Sequence, residues 1–200
     1  MGMEEHKKIG DYIFYKNTIG ENVLLIYDGK NEVVTIPPFI DKIGMNSFAL
    51  NQTVKEVIIP DGVTLEVGAF QKNKTIEKVT LPNDLEKIEL CAFDSCSALK
   101  EVVLPSNLKD IEALAFNRCE NLEKLEIREP LSNVKVAENA FAKTPFEDKF
   151  SSKSEKIKVT DEIAKEVDEF NKLVDEIEKD LENDNIDDDD IDDLFDDSAD

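Results

Sequence analysis

The sequence predicts a β-rich solenoid of the α/β class: about four to five stacked repeats of roughly 23 residues, with an N-terminal β-hairpin cap and a C-terminal helix. Three observations carry this. Phe48, Phe70, Phe93, Phe116 and Phe141 recur at steps of 22, 23, 23 and 25 residues. A short apolar alternation returns in each copy, as Val57-x-Ile59, Val79-x-Leu81, Val102-x-Leu104 and Leu125-x-Ile127. Acidity is segregated: residues 1–150 hold 25 acids and 18 bases, and residues 151–200 hold 21 acids and 6 bases. The expected division is a cap over 1–33, a solenoid over 34–150, an amphipathic helix over 151–183 and a disordered acidic tail over 184–200.

The cap is read from "DYIFYKN" and "NVLLIYDGKNEVVTIP", two apolar runs with turns expected at Asn22 and at the hairpin dipeptide Asp28-Gly29. A half-repeat, Val34-Thr35-Ile36-Pro37, leads into the first full copy. In the copies, the two-residue alternation is a short strand with one buried face, and Pro60, Pro82 and Pro105 end it because proline cannot donate to a ladder. Five residues before each of the first four phenylalanines lies an aliphatic: Ile43, Leu65, Ile88 and Ile111. Immediately before each phenylalanine is a small residue, leaving room for the ring at a tight corner. Three residues after come Asn51, Asn73, Cys96 and Cys119, short side chains placed to bond turn backbone and stack as a ladder. One such unit cannot bury its own apolar face, but stacked copies bury a continuous core.

The pattern L-x-x-I-x-x-x-A-F-x-x-C-x-x-L-x-x-V-x-L-P, met at Leu85, Ile88, Ala92, Phe93, Cys96, Leu99, Val102, Leu104 and Pro105, resembles the BspA-like class of bacterial leucine-rich repeats. The resemblance covers about residues 34–146. It departs from the class in its first two repeats, which carry Asn for Cys, and in the second, which is one residue short near Gly62. The last carries a two-residue insertion and has Arg128 where proline is expected. Atypical end copies are what solenoid caps look like. The resemblance implies a solenoid fold and binding of proteins, commonly as a surface protein that binds host or matrix proteins.

Strand alternation places one row of residues outward on each coil. The rows Glu56, Lys78, Glu101, Lys124 and Lys55, Glu77, Lys100, Glu123 alternate in sign, so each charge is expected to find an opposite neighbour above and below. The remaining outward row, Thr35, Ile58, Thr80, Val103 and Glu126, is mostly uncharged and is the candidate partner-binding surface.

Little in the chain points to catalysis. His6, the one histidine, reads as a solvated tail residue. Cys91, Cys96 and Cys119 occupy repeat positions and are too few for a disulfide scaffold; a thiol-dependent enzyme using them is the alternative of a different class. There is no Gly-rich phosphate loop, Ser-His-Asp set or zinc spacing, so no cofactor or metal is expected. A net charge of −22 opposes nucleic acid and anionic membrane surfaces as partners. No apolar run approaches a membrane span, and the start lacks a signal-peptide stretch. As it stands the sequence reads as cytoplasmic, and as secreted or cell-surface if a targeting segment is missing.

Beyond the repeats, Ile163, Val167, Phe170, Val174, Ile177 and Leu181 are spaced 4-3-4-3-4, the seam of a coiled coil, with Thr160 as N-cap. This segment would be a lone amphipathic helix on the solenoid end, a partner contact, a homodimer interface or a mostly disordered stretch. The final run has no base after Lys179 and is too charged to pack. The function these features predict is non-enzymatic protein–protein interaction with a protein partner.

Overall fold

The computed structural model describes residues 6–127, 134–137 and 139–151. The chain divides into two units, 1–157 and 158–200, and the described residues all fall in the first. The expected coiled-coil seam and acidic tail therefore lie outside the described residues.

Each coil contributes one strand to each of two sides. One side is a five-stranded parallel sheet in the order β12-β10-β8-β6-β4. Its strands are β4 (Val33–Thr35), β6 (Glu56–Ile58), β8 (Lys78–Thr80), β10 (Glu101–Leu104) and β12 (Lys124–Ile127). Their register joins Val34, Val57, Val79, Val102 and Leu125 in one row, of which the first four are at most 2% exposed. This is the buried face that the apolar alternation predicts.

The other side was not legible as strands, because its rungs are two residues long. These are β5 (Lys42–Ile43), β7 (Thr64–Leu65), β9 (Lys87–Ile88), β11 (Asp110–Ile111) and β13 (Lys135–Val136). The recurrent aliphatics Ile43, Leu65, Ile88 and Ile111 are their buried residues.

The N-terminal strands extend this second side. β1 (Lys7–Ile9), β2 (Tyr12–Lys16) and β3 (Asn22–Tyr27) are antiparallel, and β3 then pairs parallel with β5. The β2–β3 turn is at Asn17, whose side-chain oxygen accepts from the Ile19 and Glu21 amides at 3.2 and 2.9 Å. Asn22 is already in β3, and Asp28-Gly29 is not a hairpin. After Tyr27 the chain crosses to the opposite sheet as β4. Gly29 is needed there because a Cβ would collide with the Tyr27 ring and hydroxyl. β3 thus serves as the first rung of the stack as well as part of the cap.

The phenylalanine corners form one column. Centroids are 5.1 Å apart from Phe48 to Phe70, Phe93 and Phe116, and 5.0 Å from Phe116 to Phe141. The Phe70/Phe93 and Phe93/Phe116 planes differ by only 4° and 3°. Carbon contacts are optimal at about 3.5–4 Å, so parallel rings with this centroid separation are slipped, the arrangement that ring quadrupoles favour. Tyr27 begins the column and Phe150, on α1 (Glu147–Ser151), closes it.

The Asn/Cys ladder staples each coil to the one before. Asn73 Nδ2 donates to the Phe48 carbonyl at 2.7 Å, while its Oδ1 accepts from the Thr75 and Ile76 amides at 2.9 and 2.7 Å. Asn51 Nδ2 donates to the Gly29 carbonyl at 2.7 Å. The thiols of Cys96 and Cys119 donate to the Phe70 and Phe93 carbonyls at 2.9 and 3.0 Å. A second polar row runs beside it: Gln71 and Asn117 both donate to the buried Asp94, at 3.0 and 2.7 Å.

The charge rows follow the expected register but pair off rather than run continuously. Lys78–Glu56 closes at 3.3 Å and Lys124–Glu101 at 3.0 Å; in the neighbouring row Lys55–Glu32 and Lys100–Glu77 each close at 2.6 Å. In these four pairs each ammonium reaches the carboxylate of the coil before it. The hydrogen bond that Lys100 donates to Glu77 holds that carboxyl below its usual value, and the one that Lys124 donates to Glu101 holds Lys124 above its own.

Two outcomes are expected. Phe93→Ala, in the middle of the column and fully buried, destabilises the solenoid by about 3–5 kcal/mol in chemical denaturation. The lowered Glu77 pKa means its contribution is present above the unfolded value and lost as pH falls through the folded one. Glu77→Gln should therefore give a shallower loss of Tm than the parent between about pH 5 and pH 3 in calorimetry.

Candidate binding surface

Register fixes the candidate row. Thr35, Ile58, Thr80, Val103 and Glu126 lie opposite one another on adjacent strands of the five-stranded sheet. Thr35 and Glu126 are exposed, and Ile58 and Thr80 half-buried. Val103 is buried, at 9% exposure, which departs from the sequence expectation of an open valine. In the row it lies between Thr80 and Glu126, on the strands to either side, whereas Thr35 is on an edge strand. The part of the row left open or half-open is therefore Thr35, Ile58, Thr80 and Glu126, with the exposed Val33 beside Thr35.

The hairpin bounds this row at one end. Tyr12 donates its hydroxyl to the Thr35 carbonyl at 3.3 Å and packs on Tyr27 and Phe39. Burial holds the Tyr12 pKa above its ordinary value, so the hydroxyl remains a donor across the physiological range. The flanking charges largely cancel in the pairs described above, so the row itself is the uncompensated feature of the face.

The thiols do not make a site. Cys91, Cys96 and Cys119 are free and at most 1% exposed. Burial pushes the Cys91 thiol up to about 12 and raises Cys96 well above the usual thiol value. A nucleophilic cysteine needs the opposite shift. His6 is exposed and packs edge-on against Tyr15. Among the described residues no cluster of His, Cys, Asp or Glu could hold a metal ion, and no helix is long and apolar enough to cross a membrane.

A second feature is the opening made at the short second repeat near Gly62. At every other junction of the second side, main-chain bonds tie one rung to the next. The Thr64 and Glu66 amides donate to Asp41 and Ile43 at 3.0 and 2.9 Å, and the Asp110 and Glu112 amides to Glu86 and Ile88 at 3.2 and 3.0 Å. Between β7 and β9 there is no such bond, and the side splits into two sheets. The cause is the short second repeat. Ile59 to Leu65 is six residues, where Ile36 to Ile43, Leu81 to Ile88 and Leu104 to Ile111 are seven. The split leaves a cleft of about 230 Å³ between residues 62–65 and 84–89. Beside it, Lys87 bonds Glu112 at 2.7 Å and Glu89 at 2.9 Å. Burial opposes the Lys87 charge, but these two carboxylates outweigh it and raise its pKa. Burial and the repulsion of Glu112 outweigh Lys87 in raising the Glu89 carboxyl.

The sequence model of the BspA type leucine rich repeat region matches residues 7–147, in six copies. No curated protein matches the chain. Among solved structures, a leucine rich cell surface protein from Faecalibacterium prausnitzii is similar at 24% identity and a TM-score of 0.52, over 72% of this chain and 47% of that one. A leucine-rich repeat protein from Bacteroides capillosus is similar at 24% identity and a TM-score of 0.53, over 63% of this chain and all of that one. The chain thus spans about half the length of the Faecalibacterium protein, and at these identities the likeness is one of fold. The matched residues span β1 to β13 and the phenylalanines from Phe48 to Phe141: the chain belongs to the BspA-type leucine-rich repeat family.

Proposed function

We propose that the protein is a non-enzymatic interaction module that docks a protein partner on the open row Thr35, Ile58, Thr80 and Glu126. The observation that supports it most is the register: four side chains from four coils are held in line on a stiff parallel sheet, with a β-branched aliphatic at half-burial in their midst. Such a row presents apolar contact without the entropy of long side chains, and the paired charges beside it make a polar rim. The leucine-rich repeat family supports protein binding as the general role. The cap over residues 1–33 bounds the surface, and the seam Ile163 to Leu181 is proposed as a second contact, to a partner or to a second copy.

A second reading, a secreted or surface adhesin binding host or matrix proteins, is favoured by the name of the Faecalibacterium structure, a cell surface protein.

The row is tested with a partner recovered on the full-length protein and then purified. Ile58→Glu combined with Thr80→Lys should weaken its affinity at least tenfold, with circular dichroism unchanged; an unchanged affinity would overturn the assignment of this row.

A further inference from the structure

The cleft between β7 and β9 is built into the chain rather than left by chance packing. In the other coils a buried aliphatic is followed by two residues before the next: Ile40-Asp41-Lys42-Ile43, Leu85-Glu86-Lys87-Ile88 and Leu108-Lys109-Asp110-Ile111. The second coil reads Val63-Thr64-Leu65 and lacks one of the two. Val63 keeps its core position at 4% exposure and Leu65 keeps its own at 5%. The missing residue is made up in the main chain, and β7 remains bonded to β5 but not to β9.

The opening is limited on every other side. The flanking coils stay paired through β6 and β8, and their phenylalanines stack at 5.1 Å. The turns above are tied by Asp84 accepting from the Gly62 amide at 2.9 Å and Asp61 accepting from the Asn83 amide at 2.7 Å. A strand therefore cannot enter, since it would need a further strand spacing of about 4.8 Å. One long side chain can.

The split leaves the Val63 and Leu65 carbonyls and the Lys87 and Glu89 amides without main-chain partners. Charge decides which ligand this frame favours. Asp84, Glu86 and Glu89 line the cleft with one base, Lys87, which Glu89 and Glu112 hold, while Lys109 of the next coil holds Glu86 at 2.6 Å; these four carboxylates still outnumber the two bases. The cleft rim is thus net acidic, on a chain of net charge −22. The walls, Val63, Leu65 and Leu85, are apolar. Apolar walls with several acceptors at the rim match a methylene stem carrying a planar head with five donors, which is arginine rather than lysine.

We propose that the split between β7 and β9 is a docking notch for an arginine side chain presented by a basic segment of a partner protein. It adds a further contact to the module and does not depend on the β-sheet row, because Ile58 and Thr80 lie on β6 and β8 and can be altered separately.

The test uses the isotope-labelled full-length chain and the capped peptide Leu-Arg-Leu, with Leu-Lys-Leu as comparison. The arginine peptide should shift the amide resonances of Thr64, Leu65, Lys87 and Glu89 and bind at least tenfold tighter than the lysine peptide. One asparagine inserted after Val63 restores the seven-residue spacing; it should close the notch and remove the peptide-induced shifts. Shifts scattered over the acidic surface, equal affinity for the two peptides, or undiminished binding by the insertion variant would each overturn the proposal. Should the insertion variant lack a dispersed spectrum, Asp84→Asn with Glu86→Gln is read in its place: a loss of affinity of at least threefold supports the notch, and none overturns it. The β-sheet row stands or falls on its own variants whichever result is obtained.

Discussion

Everything in this molecule depends on two spacings that must agree. Parallel strands sit about 4.8 Å apart, and slipped aromatic rings stack with centroids near 5 Å. The phenylalanine column, at 5.0–5.1 Å from Phe48 to Phe141, can therefore rise in step with the ladder of β4 to β12. A coil whose length drifted would have to misplace either its ring or its strand. This is why the chain repeats its phenylalanine at nearly constant intervals, and why small residues such as Ala92 and Ala115, fully buried, stand before the ring. The hydrogen bonds of Asn73, Cys96 and Cys119 work along the same axis, each reaching a carbonyl of the coil before.

The corners need more than small residues. The residue two before the ring is left-handed in each central coil, at Asn46, Gly68, Cys91 and Leu114, with φ between 55° and 63°. The residue two after is left-handed at Lys72, Ser95, Arg118 and Lys143. Only one of these eight is glycine. A left-handed Leu or Arg costs about 1–2 kcal/mol, and it persists here because the ring and ladder on either side leave the backbone no other path. The column thus dictates backbone geometry even where the residue is ill suited to it.

Much of this was legible in the sequence because it repeats. The period gave the first sheet, its buried row, the Asn/Cys ladder and the order of the charge rows. What repetition did not carry was harder to see. Tyr27 begins the ring column but is a tyrosine inside a strand that reads as a hairpin arm, and Phe150 closes it only nine residues after Phe141, out of period. The second side was invisible because a two-residue strand has no alternation to detect. Asp28-Gly29 misled because the dipeptide's turn preference is local, while the packing of Tyr27 over Gly29 is not. Of the candidate surface, the row was readable from alternation, but the burial of Val103 was not. The cleft was present in the sequence as a missing residue near Gly62, and what it opens could be seen only once the rungs were paired.

In a stack where each coil touches only its neighbours, the junctions set how the whole array comes apart. The second and third coils are joined by β6 with β8, by Phe70 with Phe93 and by corner bonds from the Gly68, Phe70 and Lys72 amides to the Leu90, Ala92 and Asp94 carbonyls at 3.0, 2.9 and 2.8 Å, but not by the rung-to-rung bonds present elsewhere on the second side. Each such bond contributes about 1 kcal/mol net, so this junction is held less tightly than that of the third and fourth coils, which has rung-to-rung and corner bonds together. Partial opening would then part the second coil from the third before it parts the third from the fourth. One omitted residue thus makes the junctions of an otherwise uniform array unequal.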